Sequence, residues 1–171
     1  MKKILIGFSL ILALFIITGC NEEKENKDVN KNREVENQDG EFICTKTEEI
    51  DGVNTNFKAT ISYENNTVIN VKNETQVDVT PQNKNTYIET YNGLKNIYGE
   101  INGVNITTQS TNNTVTSIFE TNYEIFDEEK AREVIDKLGL DEEDAAVVVN
   151  RDYLDLETYK NRFLNGYNCN D

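Results

Sequence analysis

Histidine and tryptophan are absent from this 171-residue sequence, and proline and methionine occur once each. Without histidine there can be no Ser-His or Cys-His nucleophile pair and no His-based zinc site. Phosphate-cradling glycine loops are missing too, since the 9 glycines stand mostly singly, at expected turns and helix ends. Positive charge is scarce: 17 Lys and Arg stand against 31 Asp and Glu, a formal net charge of -14. Such a surface repels nucleic acid and anionic headgroups, which excludes a nucleic-acid role and leaves solubility as the plain reading of the acidity. Carboxylate-only catalysis, as in glycoside hydrolysis, needs two facing carboxylates. With so many acidic residues the sequence singles out no such pair, so the expectation is a chain that is not an enzyme and takes no metal or cofactor.

The amino-terminal segment holds the strongest motif. Lys2 and Lys3 precede an uncharged, mostly apolar run from Ile4 to Thr18. This is short for a membrane span, which takes about 20 apolar residues, and fits the apolar part of a signal peptide. Ile17-Thr18-Gly19-Cys20 then resembles the lipobox of bacterial lipoproteins. The resemblance implies diacylglycerol on Cys20, cleavage between Gly19 and Cys20, and anchoring to the outer face of the cytoplasmic membrane without a membrane helix. Two or more acyl chains make such attachment durable, at about 0.8 kcal/mol per buried methylene. The domain plan is therefore a signal peptide over 1–19, the lipidated cysteine and a disordered tether over 20–40, and a single folded domain over 41–171. Asn21 to Gly40 holds only two valines among Asn, Glu and Lys, too little to offset the entropy of ordering.

Two acidic patterns imitate metal sites. Asp28, Asn30, Asn32, Glu34 and Asp39 follow calcium-loop spacing, but the sixth position is Arg33 where Gly makes the sharp turn, and the twelfth is Asp39 where a bidentate Glu is needed. Asp141-Glu142-Glu143-Asp144 cannot converge on one point in either a helix or a strand, and reads as the start of a short helix, whose amino end favours negative charge.

Cysteine occurs three times. With Cys20 committed to lipid, Cys44 and Cys169 form an even pair in an exported protein, which suggests a disulfide; two unrelated buried thiols are the alternative. A closed loop of that length would stabilise by about 4 to 5 kcal/mol on the chain-entropy model.

From Glu41 the pattern is that of strands. Phe42 to Thr45 runs to a turn at Asp51-Gly52, Phe57, Ala59, Ile61 and Tyr63 alternate at period two, and Asn65-Asn66 turns the chain into a strand from Val68 to Val79. Thr80-Pro81 reads as a cap with proline at the first helical position, opening a helix that carries Tyr87, Tyr91, Leu94 and Tyr98 and stops at Gly99. Val104, Ile106 and Thr108 then lead to Asn112-Asn113, and a strand runs from Thr114 through Ile118, Tyr123 and Ile125. Asp127 caps a helix bearing Ala131, Val134, Ile135 and Leu138 that ends at Gly139, and Asp155 caps a last helix with Leu156, Tyr159 and Phe163 that ends at Gly166. Asn65-Asn66-Thr67-Val68 recurs as Asn112-Asn113-Thr114-Val115, each opening a strand that ends in a helix. That is the mark of a duplicated hairpin-plus-helix unit, or of turn chemistry that converged.

Taken with the lipobox and the segment Phe57-Lys58-Ala59-Thr60-Ile61-Ser62-Tyr63, this plan resembles the YehR-like family of uncharacterised bacterial lipoproteins. Gram-positive members pair an early cysteine with one in a closing segment, here Tyr159 to Cys169. The resemblance implies a small α+β domain with no known catalytic activity, and the heavy use of Asn, Lys and Ile fits a low-GC Gram-positive source. The expected fold is an antiparallel β-sheet with two or three helices packed on one face. The expected function is a membrane-anchored, extracytoplasmic binding or interaction module for an unknown protein or small ligand. A structural or accessory component of a membrane-associated envelope complex is the alternative.

Overall fold

The computed structural model describes residues 38–141 and 145–170. Gly19, Cys20, the signal peptide, the calcium-like pattern up to Asn37 and Glu142 to Asp144 lie outside the described residues.

Three long strands open the domain: β1 (Gly40–Ile50), β2 (Val53–Glu64) and β3 (Thr67–Asp78). They are joined by two-residue turns whose central residues all have positive φ: Asp51 at 52° and Gly52 at 77°, then Asn65 at 49° and Asn66 at 60°. This conformation matches the twist of a hairpin and is tolerated by Gly, Asn and Asp. Helix α1 (Lys84–Tyr98) follows, then β4 (Val104–Ser110), β5 (Thr114–Asn122), α2 (Glu128–Leu138), a 3-10 turn over Arg151–Leu154, α3 (Leu156–Phe163) and the short β6 (Asn168–Asn170). The strands form one six-stranded antiparallel sheet in the order β4-β5-β3-β2-β1-β6. With three helices, this is the α+β fold the pattern predicts.

Alternation along the strands separates the two faces of the sheet. Phe42, Cys44, Ala59, Ile61, Val71, Val77, Val115 and Phe119 are buried in one core with Tyr91, Leu94 and Tyr98 of α1, Ala131, Val134 and Ile135 of α2, and Leu156 and Tyr159 of α3. The other face is polar. There Thr47 donates to Asn56 at 2.8 Å and Lys58 to Glu74 at 3.1 Å, both across paired strands. Each of the hairpins β2-β3 and β4-β5 is followed by a helix, and the two units meet where β3 pairs antiparallel with β5. Two copies of one unit related by a two-fold axis would meet in this way.

Several local readings change. Thr80-Pro81 does not cap α1: the chain makes a turn first, with the Asn83 carboxamide oxygen accepting from the Thr80 N–H at 2.7 Å, and the helix begins at Lys84. Proline's fixed φ suits a turn as well as a first helical residue. The strand through Tyr123 stops at Asn122, whose side chain accepts from Glu124 N–H at 3.0 Å and turns the chain; Ile125 is left 56% exposed. No short helix follows Asp141 among the described residues. Ala145, Val147 and Val149 are buried in an irregular strap across the core. The last helix ends at Phe163, before Gly166. Asp127 and Asp155 do cap α2 and α3, each accepting a backbone N–H at 2.9 Å, from Lys130 and Thr158. The Thr158 amide and hydroxyl both stabilise the ionised Asp155 carboxylate, which lowers its pKa.

Candidate ligand cavity

A cavity of about 40 Å³ lies between the core face of the sheet and the layer formed by α1, α3 and the 145–149 strap. Its floor is polar in the middle of an apolar sheet. Asn73 of β3 stands opposite Phe119 of β5, and Thr75 stands opposite Ser117; all four line the cavity. Period-two alternation forces these residues onto the core face, because Val71 and Val77 of the same strand are core residues. Thr75 and Ser117 are 7% and 4% exposed, Asn73 is half-buried, and none of the three side chains makes a hydrogen bond to another described residue. These polar atoms are not sealed off, because among the described residues Thr108 Oγ1 alone is a buried side-chain polar atom without a partner; they open into the cavity, where water or a ligand can satisfy them.

The walls are aromatic and aliphatic: Phe57, Tyr91, Leu94, Tyr159, Phe163 and Tyr167. Tyr159 packs on Phe163 with ring centroids 4.9 Å apart. Burial pushes the Tyr91 and Tyr159 hydroxyls far above their usual pKa. Burial, with a smaller contribution from Glu48, pushes Tyr167 up to about 12. The hydroxyls therefore stay neutral across physiological pH, and the cavity offers neutral hydrogen-bond groups in an apolar frame.

Cys44 and Cys169 are opposite residues of β1 and β6, and the structure joins them in a disulfide. β6 follows directly on Tyr167, so the bridge ties one wall of the cavity to the sheet. Lys46 of β1 also lies over the Tyr167 ring, 5.8 Å from its centroid. The cavity went unread in the sequence because Thr75 and Ser117 look like ordinary polar strand residues until the β3-β5 register sets them side by side. Among the described residues, no three His, Cys, Asp or Glu side chains come together as a metal site, and no helix is long and apolar enough to cross a membrane.

A solved pneumococcal structure shares this fold. The protein from Streptococcus pneumoniae TIGR4, determined by NMR, superposes with a TM-score of 0.50 over 88% of this chain and 95% of its own, at 14% identity. The Escherichia coli YehR protein, also an NMR structure, matches 56% of this chain and 70% of its own with a TM-score of 0.44 and 19% identity. The first is similar in fold alone, and the second is too distant in shape to carry an argument. No protein-family model and no curated protein matches the chain.

Proposed function

We propose that this chain is a lipid-anchored, non-catalytic binding module on the extracytoplasmic face of the membrane, and that the cavity between β3, β5 and α3 is where it takes its ligand. One observation carries the reading of the site: Asn73, Thr75 and Ser117 present unpaired hydrogen-bonding groups at the bottom of an aromatic enclosure. Ligand sites combine apolar walls with a few convergent polar groups in this manner. One water needs about 10 to 15 Å³, so the volume admits about three or four heavy atoms. A short neutral group such as an acetamido or hydroxymethyl substituent of a larger molecule fits that space and that chemistry. The anchor rests on Ile17-Thr18-Gly19-Cys20, which supplies membrane attachment without a spanning helix.

The site is tested by mapping NMR shifts of the protein titrated with acetamide. Saturable shifts at Thr75, Ser117 and Ala146, lost in a Ser117→Leu variant that fills the floor, are expected; shifts that persist unchanged in that variant would remove the cavity as the site. The anchor is tested by Cys20→Ser, which should release the protein from membranes or leave an uncleaved precursor. A processed Cys20→Ser protein that still partitions with detergent would remove the lipid assignment.

A further inference from the structure

The two edges of the sheet are treated differently. At one edge β6 covers Ile43 to Thr45 of β1, and the stretch of β1 beyond it carries Lys46, Glu48 and Glu49. At the other edge lies β4, whose sequence is Val-Asn-Ile-Thr-Thr-Gln-Ser. It has no charge, no proline and an unbroken register with β5, and so none of the devices that keep an edge strand from pairing. Its principal neighbours among the described residues are β5 on one side and α1 beneath. Asn105, Thr107, Gln109 and Ser110 are exposed.

The phase of the ladder says which backbone groups are free. Asn122 donates to the Gly103 carbonyl at 2.8 Å and Thr111 to the Thr114 carbonyl at 2.9 Å, and both pairs continue the β4-β5 register. Backbone groups two residues apart point the same way, so Asn105, Thr107 and Gln109 face β5. Ile106, Thr108 and Ser110 turn their N–H and C=O groups outward. At the middle of that outward set sits Thr108, whose Oγ1 is the one buried side-chain polar atom without a partner among the described residues.

We propose that β4 pairs antiparallel with β4 of a second copy of this chain, centred on Thr108, to make one continuous sheet across a two-fold axis. In that register Thr108 faces its own counterpart, and Ile106 and Ser110 of each copy face Ser110 and Ile106 of the other. Every outward N–H and C=O of the three residues then has a partner. Thr107 stands across from Gln109 of the other copy, a pair of neutral hydrogen-bonding side chains, and no like charges meet. A turn about its Cα–Cβ bond brings the Thr108 hydroxyl, buried and unpartnered within one copy, to the other Thr108, which can donate or accept. A two-fold contact of this kind closes on itself and stops at a dimer. Pairing of two such strands buries little area, which makes the dimer weak and exchanging, and the shared net charge of -14 opposes it. Salt that screens this repulsion strengthens the dimer.

The test is sedimentation equilibrium of the full chain in non-denaturing detergent at low and high ionic strength. A monomer–dimer equilibrium that tightens with salt is expected; a monomer at every concentration and salt would overturn the proposal. Thr108→Pro removes an outward N–H and leaves the bonds to β5 intact, and should abolish the dimer. Should that variant not fold, the double change Thr107→Lys with Gln109→Lys sets like charges opposite each other twice and should weaken the dimer about tenfold. Thr107→Lys with Gln109→Glu should restore it. Dimerisation unaffected by the double lysine variant would refute the register. Under mild oxidation Thr108→Cys should form a covalent dimer that wild type does not, and Thr107→Cys should not; the reverse pattern would overturn it as well.

Discussion

Tyr123 and Tyr159 are buried to nearly the same degree, 4% and 5% exposed, but only the Tyr123 hydroxyl has a protein partner, accepting from Val148 N–H at 3.2 Å. Removing a hydroxyl that satisfies a buried backbone N–H leaves that group orphaned, at about 1 to 3 kcal/mol. Tyr123→Phe should therefore lose stability in that range in urea unfolding, whereas Tyr159→Phe should stay within about 0.5 kcal/mol of wild type. A larger loss at Tyr159 than at Tyr123 would mean that the cavity hydroxyl is satisfied after all. Glycines separate in the same way. Gly103 has φ of +87°, and a Cβ there would lie 2.6 Å from the Asn122 carbonyl oxygen and 2.8 Å from the Phe126 Cα, both fixed backbone. Gly139 has φ of +65° with open space around it. Gly103→Ala should cost about 2 to 4 kcal/mol, from strain plus collision, and Gly139→Ala about 1 kcal/mol from conformation alone. Equal costs, measured by the same unfolding assay, would refute the steric argument at Gly103.

Among the elements, β6 is the one whose placement depends most visibly on a single bond. It has three residues, all exposed, paired only with Ile43, Cys44 and Thr45, and the Cys44–Cys169 disulfide fastens it across a sequence separation of 125. Cys169→Ser should lower stability by about 2 to 5 kcal/mol. Hydrogen exchange should quicken at Tyr167 to Asn170 while the β2-β3-β5 centre stays protected; an unchanged exchange pattern would show that β6 holds without the bridge. Why the elements were legible to different degrees follows from the range of the interactions that set them. The hairpin turns at Asp51-Gly52 and Asn65-Asn66, and the caps Asp127 and Asp155, are local chemistry with strong residue preferences. The start of α1 and the end of β5 depart from the sequence pattern because Pro81 serves two local structures, and because alternation continues to Ile125 past the turn made by the Asn122 side chain. The cavity floor depends on β3 lying against β5 rather than on anything within either strand. No pattern of one segment could bring Thr75 to Ser117.

At the scale of the whole molecule, tyrosine does in this core much of what tryptophan does in others, and that sets an alkaline limit to the fold. Of 8 tyrosines, Tyr87, Tyr91, Tyr98, Tyr123, Tyr159 and Tyr167 all have raised pKa values, with burial the largest cause at each. In the unfolded chain each phenol ionises near its ordinary value of about 10, whereas Tyr123 and Tyr167 hold their protons to about 12 when folded. Below pH 10 both states are protonated, so these groups add no pH dependence there. Above it the unfolded state binds fewer protons than the folded one, and stability falls as pH rises, by up to about 1.4 kcal/mol per pH unit for each such group. Tyr123 and Tyr167 together remove about 5 to 6 kcal/mol over those two units, a loss comparable with the lower end of a net stability of about 5 to 15 kcal/mol. Phenolate absorbance should therefore rise steeply and together with loss of the folded circular dichroism signal between about pH 10 and 12. Replacing Tyr123 by Phe should shallow the alkaline slope even though it lowers stability at neutral pH. Independent titration of most tyrosines near pH 10, with the fold intact, would refute their common burial in one core.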